Sequence, residues 1–210
     1  MKKLLILFTA ALLSGSLFAQ TETVKLPAPE KKNGKPLMEA LDERHSAREF
    51  ANKEMPKQTL SNLLWAAHGI NREEDGKHTT PTSKNVQDMQ VYVTTQDGAF
   101  LYLPEKNAVQ KVVDKDIRAS MGEQEFTANA AVNLVYVSDF SKYEGGDETT
   151  KHITASAHCG FIGQNVYLFC ASEGLNSVFR AWIDKELIHE KLKLEDNQHV
   201  IYTQTVGYPE

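Results

Sequence analysis

Cysteine is nearly absent, with only Cys159 and Cys170 in 210 residues, which is too few for a disulfide framework. Both fall in one helical pattern, which sets them roughly 16 Å apart along the axis, whereas a disulfide needs about 4.4–6.8 Å between Cα atoms. They are expected as buried small hydrophobes. An excess of basic charge is missing too. The net charge is -5, so there is no electrostatic footprint for nucleic acid. Seven histidines are present, but none forms H-E-x-x-H or pairs with cysteine at zinc spacing. His152 and His158 would point away from each other on a helix, and no metal site is read. No G-x-S-x-G elbow offers a hydrolase nucleophile, and no G-x-G-x-x-G follows a strand to make a Rossmann nucleotide site. Repeats and low-complexity tracts are lacking. No apolar run reaches the roughly 20 residues that cross a bilayer, so no stable membrane span is expected.

The longest apolar run opens the chain. Lys2 and Lys3 precede Leu4 to Leu13, followed by small residues and Leu17-Phe18-Ala19. A charged n-region, an apolar h-region and a small residue at the cleavage position read as a secretory signal over residues 1–20, cut after Ala19 or Gln20. The mature protein is therefore expected to be periplasmic or otherwise exported. Residues 21–36 are rich in Pro, Lys and Glu and read as a flexible lead-in. Residues 37–210 suit a single domain.

Within that domain, Pro36 to Glu43 reads as a short helix with Leu37, Ala40 and Leu41 on one face. A second helix runs from Pro56 through Leu60, Leu63, Leu64 and Ala67 and stops at Gly69. Asn71 to Thr80 reads as a polar loop turning at Asp75-Gly76. Gln90 to Thr95 and Phe100 to Leu103, joined by Asp97-Gly98, read as a hairpin. Lys115 to Ser120 and Glu123 to Asn129 are short helical pieces, and Val132 to Val137 has the continuous apolar character of a central strand. Asp139 to Thr150 is a polar loop, placed near the mouth of the site. His152 to Glu173 is the longest periodic segment and is apolar on most sides, as a helix in a core or an interface would be. Leu175 to Trp182 follows, then a helix capped by Asp184 and reaching Leu192, then a last strand from His199 to Gly207.

Arg44-His45-Ser46-Ala47-Arg48 is the most unusual short stretch. Two guanidiniums and a hydroxyl make a donor-only cluster, suited to phosphate oxygens or the edge of a planar heterocycle. R-H-S-x-[RK]-x-F, here Arg44, His45, Ser46, Arg48 and Phe50, resembles the opening signature of the nitroreductase family of flavin enzymes. The run Leu60, Leu63, Leu64, Trp65, Ala66, Ala67, Gly69, Ile70, Asn71 and Arg72 resembles the thiazoline-oxidase-like branch of that family. Pro81, Ser83, Asn85 and Gln87 match the P-S-S-x-N-x-Q turn of the family, and here they depart from the P-S-A-G-A-x-Y-P turn of that branch. Gly160, Gln164 and Asn165 are similar to the G-x-x-x-Q-N of its central dimer helix. Gly207-Tyr208-Pro209 matches its closing G-[YR]-P.

The resemblance implies an α+β fold: a central, mostly antiparallel sheet flanked by helices, with the long helix buried at a homodimer interface. It implies FMN as cofactor. Arg48 would stabilise negative charge at the N1 and O2 edge of the ring, and Arg44 and Ser46 would bind ribityl and phosphate oxygens, beside His45. The Pro81, Thr82, Ser83, Asn85 and Gln87 turn would contact the flavin held mainly by the other subunit. Gln164 and the backbone around Ser177, Val178 and Arg180 would face the cofactor. Because the chain ends at Glu210, without the basic pair with which many members hold the phosphate, Arg180 and Lys84 are further candidates for that role. The implied activity is hydride transfer at flavin N5 to a quinone, a nitroaromatic or another small acceptor, with no catalytic side chain required. The alternative is a degenerate flavin-binding homologue serving as a carrier or interaction module. An exported enzyme meets almost no nicotinamide nucleotide, which points to a quinol or a redox protein as donor.

Overall fold

The computed structural model describes residues 22–210; the expected signal sequence lies outside the described residues. The chain begins with a strand, β1 (Thr23–Lys25), then two helices, α1 (Leu37–Glu43) and α2 (Lys57–His68). A small hairpin, β2 (Ile70–Arg72) and β3 (Lys77–His78), comes next. Three longer strands follow: β4 (Met89–Thr95), β5 (Gly98–Leu103) and β6 (Ala108–Val113). The remainder is α3 (Phe126–Asn129), β7 (Val132–Asp139), α4 (Glu148–Glu173), β8 (Asn176–Arg180), α5 (Lys185–Leu192) and β9 (Gln198–Gly207).

Seven strands form one sheet in the order β1-β6-β5-β4-β7-β9-β8, and each neighbouring pair is antiparallel. This is the α+β class expected. β7 lies inside the sheet between β4 and β9 and is buried from Val132 to Ser138, because its alternate side chains enter two different cores. Leu134 and Tyr136 join Leu63, Leu64, Ile162 and Val166 of α2 and α4 on one face. Val135 and Val137 join Met121, Ile188 and Leu192 on the other. Each such aliphatic side chain, fully buried, contributes about 1.5–3 kcal/mol. The fold is therefore three layers deep, with the sheet in the middle.

The 26-residue α4 begins four residues earlier than its periodicity suggested. Asp147 caps it, its Oδ1 accepting the Thr150 N–H at 2.7 Å, and Gly174 ends it in the left-handed conformation at φ 66°. At Gly163 the helix comes so close to the sheet that a Cβ would lie 2.6 Å from the Phe179 ring. Asp184 caps α5 as expected, accepting from the Leu187 N–H at 2.9 Å.

Three expectations are corrected. The stretch 21–36 is not loose throughout: Thr23–Lys25 pairs with β6, Val24 opposite Val109, and Leu26 is buried. The polar loop after α2 contains the β2–β3 hairpin, closed through Gly76 at φ 60°. The apolar face expected of α1 is covered only at Ala40, while Leu37, Met38 and Leu41 are exposed at 63%, 74% and 43%. α4 is buried on most sides, as expected, and leaves one side uncovered among the described residues. Ile153, Ala157, Gly160, Phe161 and Gln164 form an exposed stripe along it, and Cys159 and Cys170 sit inside it as buried free thiols.

Candidate functional site

β8 is the edge strand of the sheet, so one side of its backbone needs partners. The segment after α1 supplies them. The Ala47 N–H donates to the Ser177 carbonyl at 2.9 Å, and Asn176 Nδ2 donates to the Glu49 carbonyl at 2.7 Å. The Phe179 N–H donates to the Tyr167 hydroxyl of α4 at 2.8 Å, and the same hydroxyl bonds Ser46 Oγ at 2.8 Å. The Arg44 guanidinium lies 5.3 Å from the Tyr167 ring centre, within cation–π range. Tyr167 thus holds Arg44, Ser46 and β8 together. Nothing in its local sequence marked it, since Ser46 lies 121 positions away.

The charge balance at this edge is one-sided. Glu43, the nearest preceding acid, is occupied by Lys35 at 2.6 Å. Among the described residues, Arg44 and Arg48 make no ion pair or side-chain hydrogen bond. His45 is exposed, its Nδ1 2.8 Å from the Glu43 carbonyl. Two cations with free donors and a hydroxyl beside them suit a dianionic phosphate and the electron-rich edge of a heterocycle. The fit to the group implied by the signature rests on this donor set.

The second part of the site is the turn Pro81–Gln87. Lys84, Asn85 and Gln87 have φ of 52°, 56° and 49°, a left-handed region that costs energy for residues other than glycine. Hydrogen bonds fix it. Thr82 Oγ1 accepts the Gln87 N–H at 3.0 Å, and Gln87 Nε2 donates to the Gly76 carbonyl at 3.0 Å. The Ser83 N–H donates to His158 Nε2 at 2.8 Å. Pro81, Ser83 and Asn85 face solvent, with Thr82 half-buried.

Behind the turn lies a buried polar network that the sequence reading missed. His158 Nδ1 is 2.7 Å from Asp88 Oδ1, and Asp88 Oδ2 accepts from Ser138 at 2.5 Å and from Tyr143 at 2.8 Å. Burial pushes the Asp88 carboxyl up, but hydrogen bonds from His158, Ser138 and Tyr143 outweigh it and hold it below the usual carboxylate range. An amide N–H can only donate, so His158 Nε2 is an acceptor and the ring proton sits on Nδ1, toward Asp88.

The two parts do not meet within one chain. Tyr167 and His158 are nine residues apart on α4, about 14 Å along the axis and half a turn around it. Gln164 lies between them on the exposed stripe. Arg180 does not join Arg44 and Ser46. β8 alternates, with Ser177 and Phe179 toward α4 and Val178 and Arg180 toward the opposite layer. There Arg180 is buried, bonded to Asn133 at 3.2 Å and lying over Phe126, and burial pushes its guanidinium down to about 10. The side chains of Ser177 and Val178 are also buried, so this part of β8 offers only backbone. Lys84 sits exposed on the turn and belongs to the second part of the site.

The nitroreductase family model matches residues 41–208, which span both parts of the site. The chain belongs to the nitroreductase family. A nitroreductase-family relative from Methanocaldococcus jannaschii is 27% identical over 188 residues, 83% of this chain and 92% of that one. A solved nitroreductase-family structure from Ralstonia eutropha JMP134 shares 32% identity, with a TM-score of 0.85 over 90% of each chain. The NADPH:FMN oxidoreductase of Vibrio harveyi, solved with NAD+, superposes with a TM-score of 0.62 over 83% of this chain and 69% of its own. At 19% identity that is a likeness of fold.

Proposed function

We propose that this chain is an FMN-dependent oxidoreductase acting on a small electron acceptor such as a quinone or nitroaromatic, and that it works as an exported homodimer. The observation that carries the reading is the pair of guanidiniums, Arg44 and Arg48, which meet no acid among the described residues, with Arg44 over the Tyr167 ring and Ser46 bonded to its hydroxyl beside the β8 edge. When bound, FMN would supply hydride transfer at its N5. The chain's own residues then have three tasks. Arg44 and Ser46 bind the phosphate and ribityl oxygens. Arg48 places a fixed positive charge at the ring edge where negative charge develops on reduction, and such preorganised charge stabilises without reorganisation. The Ser83–Asn85 turn of the other subunit closes the site, since the two parts cannot meet in one chain.

Support for the cofactor comes from the family, and from the Vibrio harveyi neighbour, which is an FMN oxidoreductase by name. The donor follows from the signal sequence of residues 1–20: outside the cytoplasm, a quinol or a redox protein replaces NADPH. Flavin titration with anaerobic stopped-flow reduction tests the reading. One FMN per chain, slow reduction by NADPH and turnover with a quinone or nitroaromatic are expected. Arg44→Ala should weaken FMN binding by about 1.5–3 kcal/mol, as a charged hydrogen bond is lost. Arg48→Ala should keep the flavin but lower its reduction potential. Unchanged affinity and potential in both variants would reject the assignment, and rapid reduction at micromolar NADPH would reject the donor.

A further inference from the structure

Asp88 joins four elements through one carboxylate. It precedes β4, bonds Ser138 at the end of β7, bonds Tyr143 in the loop before α4, and bonds His158 on α4. His158 and Asp88 are 3% and 0% exposed at the side chain, so water cannot replace either partner. The network ends at a single outward point, the Ser83 N–H. That amide belongs to the turn in which three of four consecutive residues after Ser83 hold left-handed φ. A strained turn keeps its shape only where its surroundings over-determine it. With Asp88 orienting the ring, His158 presents Nε2 as a fixed acceptor, and the turn is pinned at Ser83.

We propose that Asp88 and His158 are positioning residues for the cofactor: through the Ser83 N–H they set the turn of residues 82–87 in the shape that meets FMN across the subunit seam, and through Tyr143 they tie that shape to the loop before α4. This rests on the flavin reading above. Neither residue touches the cofactor. Their effect is on how well Ser83 and Asn85 are placed, and it depends on an acceptor at the position of Nε2 and not on a histidine as such.

The experiment combines FMN titration of the apoprotein with amide hydrogen exchange of residues 83–87 measured without flavin. His158→Ala removes the acceptor, and FMN should bind roughly tenfold or more weakly while Ser83 exchanges faster. His158→Gln places a carbonyl oxygen near the position of Nε2, and should return affinity to within about threefold of the parent and restore protection at Ser83. A side chain that merely fills space would not be rescued in this way. Tyr143→Phe removes one hydroxyl from a half-buried ring, and should weaken FMN by about threefold even if His158→Ala fails to fold. Parent-like affinity and exchange in His158→Ala, a Gln variant as weak as Ala, or no effect of Tyr143→Phe would overturn the proposal. If the parent takes up no FMN, the flavin reading falls, and exchange at Ser83 in the Ala and Gln variants still decides whether His158 holds the turn.

Discussion

His68 shows what burial does to a single titratable group in this fold. It lies at the end of α2, 3% exposed, with Nδ1 2.9 Å from Thr80 Oγ1 and its ring stacked on His78 at 4.0 Å. Burial, with the neighbouring His78, pushes it from 6.5 down to about 3, against a smaller upward pull from Asp88. The folded protein therefore keeps His68 neutral where the unfolded chain would protonate it. Between pH 6.5 and about 3 the unfolded state binds the extra proton, so stability falls as pH falls, by up to about 1.4 kcal/mol per unit. His68→Gln should cost about 1–3 kcal/mol at neutral pH, through lost packing and hydrogen bonding. It should then converge on the parent as the pH drops below 6.5. Urea unfolding across that range is the check, and two parallel stability curves would contradict the assignment. Where His68 finds its partners 10 and 12 positions on, the residues that matter most to the site have partners remote in the chain. Asp88 lies 70 positions from His158 and Ser83 lies 75, so no local spacing could reveal them. Arg44 and Ser46 were legible because a motif carries them; Tyr167, which braces both, was not.

Among the elements, legibility followed length and regularity. β7 and α4 were readable because eight and 26 residues impose their own period. β6 was not found: Gln110 and Lys111 interrupt its apolar pattern, and its neighbours in the sheet decide its conformation. β1 is three residues in a polar, proline-rich stretch and exists only because β6 offers it an edge. The misplaced Arg180 has the same origin, since strand alternation sends it away from α4 and only the fold fixes which alternate set faces which layer. The close crossing of α4 over β8 was also invisible, although Gly163 marks it. An added methyl there meets the Phe179 ring at 2.6 Å and Gln204 Oε1 at 3.3 Å. Gly163→Ala should therefore destabilise the protein by about 1–3 kcal/mol despite its better helix propensity. In a Phe179→Leu background the cost should fall by more than half, because the clashing ring edge is gone. Equal costs in the two backgrounds would mean that helix and strand separate for some other reason.

At the level of the whole molecule, one apolar surface on α1 and α4 has no covering among the described residues. Leu37, Met38 and Leu41 of α1 and Ile153 and Phe161 of α4 are exposed, and α1 packs against α4. Large residues of this kind on adjacent helices mark an interaction surface. On the proposed reading the partner is a second copy of the chain, because the arginine cluster and the Ser83 turn lie on opposite sides of α4 and would need two chains to face one cofactor. A dimer formed this way should bury more than about 1,600 Å² in total. Phe161 is the best single probe: it is 45% exposed, and its loss leaves the described core intact. Phe161→Glu places a charge where a partner would exclude water, which is costly for an unpaired buried ion. The variant should run as a folded monomer in light scattering, with far-ultraviolet circular dichroism like the parent. Its FMN affinity should fall together with the dimer fraction, recovering as protein concentration is raised. A monomeric variant that keeps full FMN affinity at every concentration would separate cofactor binding from assembly, and the site would then have to be built from one chain alone.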